Sequence, residues 1–430
     1  MRVVVERGKR SDRDGSLTDT STAWATSGMM ALTGRADGPA LGGPMALVDG
    51  VTALADDIAL RSGRLGRPVV VDPLALMGER AATIGLHRHG AVSCGGTSRL
   101  MPSRDGWMAA TLARPSDWEL MAALLELPAP VGPGDWVTVE RAVANLAGDV
   151  LGSRSELLGI PVSVLGERSA PPEIRKGPAE MAHGIRSRPI RPASRRRSCA
   201  DLIVADLSAL WAGPLVGRIL RLTGAWVVKI ESRSRPDGAR RGSPAFFRLL
   251  NGGKESVVLD FTTEDGRRRL NEVVAQVDVV ITSSRPRAME QLGLDVDALV
   301  RDGRPQVWLM ISGYGPGVVG PGRAAFGDDA AVAGGLVAWD RGGPTFCGDA
   351  VADPLCGLAA TAAVLAALER DEASVVEASM ADIAGGMSGA ALEVEGLTPA
   401  APHVGGLPPS PPVAEFGADT GPFLAVLGIR

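Results

Sequence analysis

Three aspartates of this chain stand where a carboxylate could do chemistry. Asp353 directly precedes a long apolar run, PLCGLAATAAVLAAL, which predicts a helix. A carboxylate at such a helix start is partly dehydrated and lies close to free backbone N–H groups. An aspartate that only caps its helix looks the same, and local sequence alone favours that simpler interpretation. Asp328 and Asp329 follow Gly327 as an adjacent pair. They could serve as acid and base, or could form a capped, solvated turn.

A glycine–proline pair in this chain could form part of an anion-binding site. Gly213 and Pro214 stand where a predicted strand turns into a predicted helix. A helix start offers free N–H groups and a positive dipole end to a phosphate or a carboxylate. Any tight strand–helix turn shows this pattern, so the signal alone is weak. The turn carries neither a Walker loop nor a GxGxxG sequence, which weakens a dinucleotide-binding interpretation.

Composition sets broad limits on the class of protein. The chain has 430 residues, 45% hydrophobic and 22% charged, which fits a globular protein of two or three domains. A net charge of −4 gives no electrostatic argument for nucleic acid. No apolar run reaches the roughly 20 residues of a membrane helix, and the start lacks the apolar core of a signal peptide, so we expect a cytoplasmic protein. We expect no metal and no disulfide, because the four cysteines show no CxxC pairing: Cys94, Cys199, Cys347 and Cys356.

The first half of the chain divides into segments that differ in composition. Residues 1–22 are polar and predict a frayed lead-in, within an N-terminal segment that reaches residue 85. Residues 45–60 predict a helix, and VVVDPLAL predicts a short buried strand followed by a turn or helix. Residues 86–165 predict a small α+β domain, with a hairpin turning at Arg104-Asp105-Gly106 and a helix beginning at Pro115. Residues 166–198, rich in Pro, Arg and Ser, predict a solvated linker rather than a basic binding patch.

The second half predicts the main fold. From Asp201 onward, predicted strands alternate with predicted helices, a pattern typical of a parallel sheet covered on both faces. Ligands of such sheets bind at the carboxyl ends of the strands. We therefore predict an α/β fold: a doubly wound, Rossmann-like large domain over residues 199–390, a smaller α+β domain, and a tail over 391–430.

An internal repeat links the two halves. Residues 27–77 can be laid over residues 334–383 on a shared pattern of Gly, Pro, Asp and apolar residues. Asp49 then falls opposite Asp353, and Asp72 falls opposite Glu377. The repeat predicts that the N-terminal segment duplicates the last part of the large domain, and it leaves two candidate aspartates.

Several ordered motifs carry a family resemblance. DLSALWAGP followed by TGAWVVKIE resembles the opening of the family III CoA-transferases, which include formyl-CoA transferase and α-methylacyl-CoA racemase. NGGKESVVLDF, DVVITSSRPRAMEQLGLD, WLMISGYGPG, FGDDAAVAGGL and DAVADPLCGLAATAAVLAAL then follow in the family's order. A series of motifs in order is far more specific than any single one.

The resemblance implies a covalent mechanism. It assigns to Asp353 the attack on an acyl-CoA thioester, through a mixed anhydride and an aspartyl-CoA thioester that an acceptor carboxylic acid opens. Coenzyme A or its acyl thioester is then the substrate, without a metal. Phosphates require cations, and the resemblance points to Lys229, Lys254 and Arg285, beside the Gly213-Pro214 turn. It also implies an interlocked homodimer in which each site draws on both chains.

The chain departs from the family in three ways. Asp328 stands where the racemases carry a histidine, and Gly252 stands where an arginine precedes Gly-Lys. The piece resembling the small domain comes before the large-domain motifs rather than after them. We therefore favour CoA transfer, with Asp353 preferred over Asp49. A racemase or isomerase of 2-methylacyl-CoA and a degenerate, non-catalytic CoA-binding subunit stay open as alternatives.

Overall fold

The computed structural model describes residues 13–170, 183–194, 198–315 and 323–430. Its N-terminal half contains α1 Arg13–Thr26, α2 Met45–Arg64, α3 Pro73–Ile84, β1 Ser98–Pro102, β2 Trp107–Thr111, α4 Pro115–Leu125, α5 Trp136–Val143, α6 Gly148–Leu158, β3 Val162–Val164 and β4 Ile185–Pro192. The rest contains β5 Ile203–Asp206, α7 Ala212–Leu222, β6 Trp226–Ser232, α8 Pro244–Asn251, β7 Glu255–Leu259, α9 Glu264–Val274, β8 Val279–Thr282, α10 Pro286–Gln291, α11 Val296–Asp302, β9 Val307–Ser312, α12 Gly327–Gly334, β10 Val337–Asp340, β11 Gly343–Phe346, α13 Ala352–Leu368, β12 Glu372–Ser379, α14 Met380–Gly386 and α15 Thr420–Val426.

A seven-stranded sheet organises the second half, in the order β4-β12-β9-β8-β5-β6-β7. Every neighbouring pair is parallel except β4 and β12. All four residues of β8 are buried, as expected for a strand covered on both faces. One face packs in the same apolar cluster as α2, α7 and α13, and the other in a second cluster with α9, α11 and α15. The predicted α/β class is confirmed.

Helix α13 lies at the centre of this packing. It contacts the sheet through β12 and β9, and it also packs against α2, α7 and α14. Its sequence is apolar all round, and nearly all of its residues are buried, as a helix enclosed on every side requires. Small residues let its neighbours approach closely: a Cβ on Gly357 would lie 2.7 Å from Leu215 Cδ2 on α7. This packing fixes the first turn of α13, which carries Asp353.

A second, smaller cluster has its own core. Strands β1, β2 and β3 form an antiparallel sheet, with β1 and β2 joined as the predicted hairpin. Helices α4, α5 and α6 enclose an apolar cluster with this sheet, including an edge-to-face contact of Trp118 and Trp136 with ring centroids 4.9 Å apart. Strands β2 and β3 pack against α12. The small sheet therefore reaches the residues around Asp328 and Asp329.

The predicted linker is in part a strand. Residues 171–182 and 195–197 lie outside the described residues, but Ile185–Pro192 pairs antiparallel with β12 at the edge of the large sheet. Pro189 and Pro192 suit an edge, because proline has no N–H to donate to a further strand. The linker prediction is wrong for these residues, because pairing with a distant strand outweighs their local composition.

Two N-terminal predictions also fail. Residues 13–22, predicted as a frayed lead-in, belong to α1, whereas residues 1–12 lie outside the described residues. VVVDPLAL forms no strand: its valines are irregular, and Asp72 caps α3 by accepting the Ala75 N–H at 3.1 Å. Among the residues that the structure describes, no helix is both long and apolar enough to cross a membrane.

Candidate active site

Asp353 lies in the first turn of α13, after a strained turn. Ala350 adopts the left-handed conformation at φ 45°, which is costly for a residue with a Cβ. Its carbonyl accepts the Asp353 N–H at 2.9 Å. The start of α12 lies against the Asp353 carboxylate, and the backbone N–H of Gly327 favours its charged form, which lowers its pKa. Asp353 stays partly exposed, whereas Asp329 is fully buried and Asp328 is 6% exposed. Of these three acids, Asp353 is the most accessible to a substrate.

Gly327 is required by close approach. A Cβ at this position would overlap both the Asp353 carboxylate and the Ala350 carbonyl oxygen. A glycine therefore lets α12 bring its first backbone N–H against the carboxylate. Sequence reasoning assigned no role to this residue, although its place directly before the acidic pair was a signal.

The Asp328 carboxylate links the turn before α13 to the small sheet through two hydrogen bonds. Its Oδ1 accepts the Ala350 N–H at 3.0 Å, and its Oδ2 accepts the Ser98 hydroxyl at 2.8 Å. The Ser98 hydroxyl also lies 2.9 Å from the Thr111 hydroxyl, so β1 and β2 both contribute. Burial raises the pKa of Asp328, and the nearby Asp349 raises it further. The carboxylate is therefore enclosed by protein, and the solvated-turn interpretation is wrong for it.

Asp329 caps α12 from within the protein. Its Oδ1 accepts the Phe326 N–H at 2.9 Å. Burial raises the pKa of Asp329 to about 7. A carboxyl with this pKa is populated in both protonation states near neutral pH, as a proton carrier requires. The capping part of the prediction is confirmed, but the predicted solvation is not.

The N-terminal segment adds a cation that sequence reasoning missed. Arg80 of α3 donates from Nε to Asp349 Oδ2 at 2.7 Å and from Nη2 to the other oxygen. Asp349 is fully buried, in the turn that leads to α13. The Arg80 guanidinium lies 5.7 Å from the ring of Trp211, which caps α7. No local pattern marked Arg80 or Asp349, because their pairing is visible only in the tertiary structure.

These surroundings set the charge of Asp353. Burial raises the pKa of Asp353 to about 7; Arg80 opposes the rise, while Asp328 and Asp349 add to it. Near neutral pH the group is therefore a mixture of acid and carboxylate. A poorly hydrated carboxylate is better prepared to attack a carbonyl than a solvated one.

The two predicted CoA-binding lysines lie inside the protein. Lys254 Nζ donates to Asp206 Oδ2 at 2.8 Å and to the Pro214 carbonyl at 2.8 Å. Lys229 Nζ donates to Asp237 Oδ2 at 2.8 Å. Lys229 and Lys254 are 2% and 3% exposed. Their geometry gives them a structural role in holding the turn before α7, and contact with CoA stays a prediction.

The Gly213-Pro214 turn is built around the same buried acid. Asp206 accepts the Ser208 hydroxyl in a short hydrogen bond and pairs with Lys254. A Cβ on Gly213 would overlap the Ser208 side chain, so glycine is needed for this close approach. Gly213 and Pro214 are both buried at the start of α7. Anion binding at this turn stays a prediction.

Arg285 is the exposed member of the predicted cations. It caps α10 and donates from Nη2 to the Gly159 carbonyl at 3.0 Å. Burial lowers the pKa of Arg285, and repulsion from Arg114 lowers it further. Arg114 lies with its guanidinium 5.1 Å from the ring of Phe326, the residue before Gly327. Arg114 thus lies at the start of α12, and its charge acts on Arg285.

Asp49 is placed differently from its counterpart in the repeat. It lies exposed on α2. A cavity of about 680 Å³ at the carboxyl ends of β8, β9 and β12, lined by Met310, Ser312 and Glu377 among others, does not include Asp353 in its lining. Within residues 13–170, 183–194, 198–315 and 323–430, no group of three His, Cys, Asp or Glu could hold a metal ion.

Comparisons with known proteins agree with the motif order. The model of CoA-transferase family III matches residues 199–427. A succinyl-CoA–D-citramalate CoA-transferase of Chloroflexus aurantiacus is 30% identical over 200 residues, which cover 44% of this chain and 48% of that protein. A probable fatty acyl-CoA transferase of Mycobacterium tuberculosis is 33% identical over 202 residues, covering 43% and 50%.

Among solved structures, a CaiB/BaiF family protein of Brucella suis is similar at 29% identity with a TM-score of 0.40, covering 44% of this chain and 54% of that one. The chain spans about half the length of the curated relatives it matches. The family match covers more than half of the 430 residues and confirms the resemblance seen in the motifs. The chain belongs to CoA-transferase family III.

Proposed function

We propose that this chain transfers CoA between carboxylic acids by covalent chemistry at Asp353. The observation that carries the proposal is the geometry of this carboxylate. Asp353 is partly exposed, lies in the first turn of α13, and has the start of α12 at Gly327 packed against its carboxylate. The names of the matched relatives, which include succinate–glutarate and formyl-CoA:oxalate CoA-transferases, support the same reaction class.

The proposed steps balance without a metal or a redox partner. The Asp353 carboxylate attacks the thioester carbonyl of R–CO–S–CoA, and the thiolate leaves, which gives a mixed anhydride. The thiolate attacks the aspartyl carbonyl and releases R–COO⁻. An acceptor R′–COO⁻ then attacks the aspartyl thioester and releases the thiolate. The thiolate attacks the new acyl carbonyl, which gives R′–CO–S–CoA and frees Asp353. The protein's part is to hold the reacting atoms together and exclude competing water.

A trapping experiment tests the proposal. The protein is incubated with a panel of acyl-CoA thioesters, treated with hydroxylamine, and searched by mass spectrometry for modification of Asp353. A hydroxamate at Asp353 that is absent from Asp353→Ala supports transfer. Deuterium incorporation at the α-carbon without an adduct would favour racemisation. Acyl-CoA binding with neither outcome would favour the non-catalytic alternative.

For the CoA phosphates we propose Arg285 together with Arg114. Both side chains are exposed and belong to different parts of the chain, and their mutual repulsion is relieved when an anion lies between them. Arg285→Ala should raise KM for acyl-CoA about tenfold or more and leave kcat within about twofold, as loss of a charge-assisted hydrogen bond predicts. Steady-state kinetics measure both constants.

The matched control for that prediction is Arg188→Ala. Arg188 is also an exposed arginine, but it pairs with Asp297 at the β4 edge of the large sheet. Its removal should leave KM unchanged. An equal rise of KM in both variants would mean that net charge, and not a site at Arg285, attracts the substrate.

A glycine substitution tests how Asp353 is aimed. Gly327→Ala places a methyl group against the carboxylate and the Ala350 carbonyl. We expect transfer to fall by about 100-fold or more, because displacing a reacting group by about 1 Å has that effect. Gly421→Ala is the control, since a Cβ there meets no atom within 4 Å. Unchanged kcat in Gly327→Ala would contradict the proposed geometry.

The homodimer and the cytoplasmic location stay predictions.

A further inference from the structure

The ion pair of Arg80 and Asp349 joins two distant parts of the chain beside Asp353. Arg80 belongs to α3, and Asp349 to the turn before α13. The pair is bidentate, with Asp349 fully buried and the Arg80 side chain 26% exposed. The Trp211 ring lies 5.7 Å from the guanidinium. Arg80 is therefore held in place on two sides.

Three acids share this small volume. Asp353 lies in the first turn of α13, shortly after Asp349, and the start of α12, which carries Asp328, lies against it. Asp328 accepts the Ala350 N–H, and Arg80 pairs with Asp349, so the cation belongs to the same group of side chains. The charges of Asp349 and Arg80 also act on the pKa of Asp328. Without a cation, like charges at this spacing would force protons onto the acids. A protonated Asp353 is a much weaker nucleophile than the carboxylate that the proposed function requires.

We propose that Arg80 is a positioning residue for Asp353: anchored by Asp349, its guanidinium supplies the positive charge that lets the acids share one site. This inference rests on the proposed function for its catalytic consequence but not for its electrostatic one. It gives the N-terminal segment a task. The repeat suggested that this segment carries a second candidate acid, Asp49, whereas in the structure it places Arg80 against Asp349 in the turn before α13.

The chain provides a matched control. Arg35 also belongs to the N-terminal segment and makes a bidentate ion pair with a later acid, Asp340, at 2.6 and 3.2 Å. This second pair ties the same two parts of the chain together, but Arg35 is not among the charges that act on Asp353. A purely structural role for such pairs therefore predicts the same effect for both arginines.

The test follows the protonation of Asp353 itself. A diazo compound esterifies only protonated carboxyl groups, so labelling of the Asp353 peptide against pH, read by mass spectrometry, gives its midpoint. Arg80→Gln should raise the midpoint by about one unit or more, because loss of a nearby cation favours the neutral acid. Arg35→Gln should leave it unchanged. Asp349→Asn should lower it, because a neighbouring negative charge is lost, and adding Arg80→Gln to Asp349→Asn should raise it again.

The outcomes separate this inference from the proposed function. Equal midpoints in wild type and Arg80→Gln would overturn the inference, whatever the enzyme does. If Arg80→Gln does not fold, the double variant Arg80→Gln/Asp349→Asn, which leaves neither charge of the pair alone, is compared with Asp349→Asn, and equal midpoints in these two would overturn it. Shifted midpoints in a wild-type protein that forms no Asp353 adduct would sink the proposed function and leave the electrostatic role standing. When both hold, the rising limb of the transfer rate moves to higher pH in Arg80→Gln.

Discussion

Asp353→Asn should lower kcat for CoA transfer by roughly 10⁴-fold or more, the size seen when a member of a covalent catalytic unit is removed. The amide is nearly the same size as the carboxyl and fits the same space beside Gly327. It is a far weaker nucleophile, so binding of acyl-CoA should survive. The measurement is the transfer rate at saturating donor, with donor affinity determined separately.

Asp49→Asn is the control, because Asp49 is the counterpart of Asp353 in the repeat but lies exposed on α2. It should keep full activity. Loss of activity in Asp49→Asn together with an active Asp353→Asn would reverse the assignment of the nucleophile.

Stability gives a second readout of the same substitution. Because the pKa of Asp353 is raised from 3.8 to about 7, its contribution to stability is present below about pH 4 and is lost as pH rises through 7. The neutral asparagine carries no such penalty. We expect the Tm of Asp353→Asn to exceed that of the wild type at pH 8 and the difference to vanish near pH 4.

Lys254→Met should lower the free energy of unfolding by about 3–5 kcal/mol, the usual effect of leaving one member of a buried ion pair alone. Lys254 and Asp206 are 3% and 0% exposed, and Nζ has Asp206, Pro214 and Asn251 as its partners. Although burial favours a neutral Asp206, the charges of Lys254 and Lys229 hold its pKa below the usual value. Urea unfolding measures the change.

Arg268→Met is the matched control, because Arg268 also forms ion pairs, with Asp265 and Glu272, but at an exposed position. Its removal should change stability by less than about 1 kcal/mol. If Lys254→Met keeps its stability and loses affinity for CoA, the result would contradict the structural role and support the CoA-binding role that the sequence predicts.

Most of the large sheet could be predicted from local sequence patterns. Strands β5, β8 and β9 are mainly apolar runs, β6 begins with the apolar residues WVV, and helices α7 and α9 have the right length and period, so sequence neighbours suffice to predict them. The β1–β2 hairpin was predicted for the same reason, from two short strands around a three-residue turn. The position of Asp353 at a helix start also follows from local sequence.

Features that depend on distant partners were not predictable. β4 is rich in Pro and Arg and becomes a strand only because β12 offers a free edge. Lys254 resembles a surface lysine until the fold brings Asp206 to it. Arg80 lies far before Asp349 in sequence, and nothing in either segment signals the other. A single sequence records which groups are available, but the fold determines which of them meet.

The enclosure of α13 has a consequence for synthesis on the ribosome. Helix α2, which covers α13, leaves the ribosome long before α13 does. During that interval its apolar face, including Leu47, Val51 and Leu54, can pack only against neighbours that precede α13, such as α1 and α3, so part of it stays exposed. Exposed apolar surface on a nascent chain attracts chaperones and promotes aggregation. The acids around Asp353 can assemble only after the last large helix has emerged, so the site matures late in the life of the nascent chain.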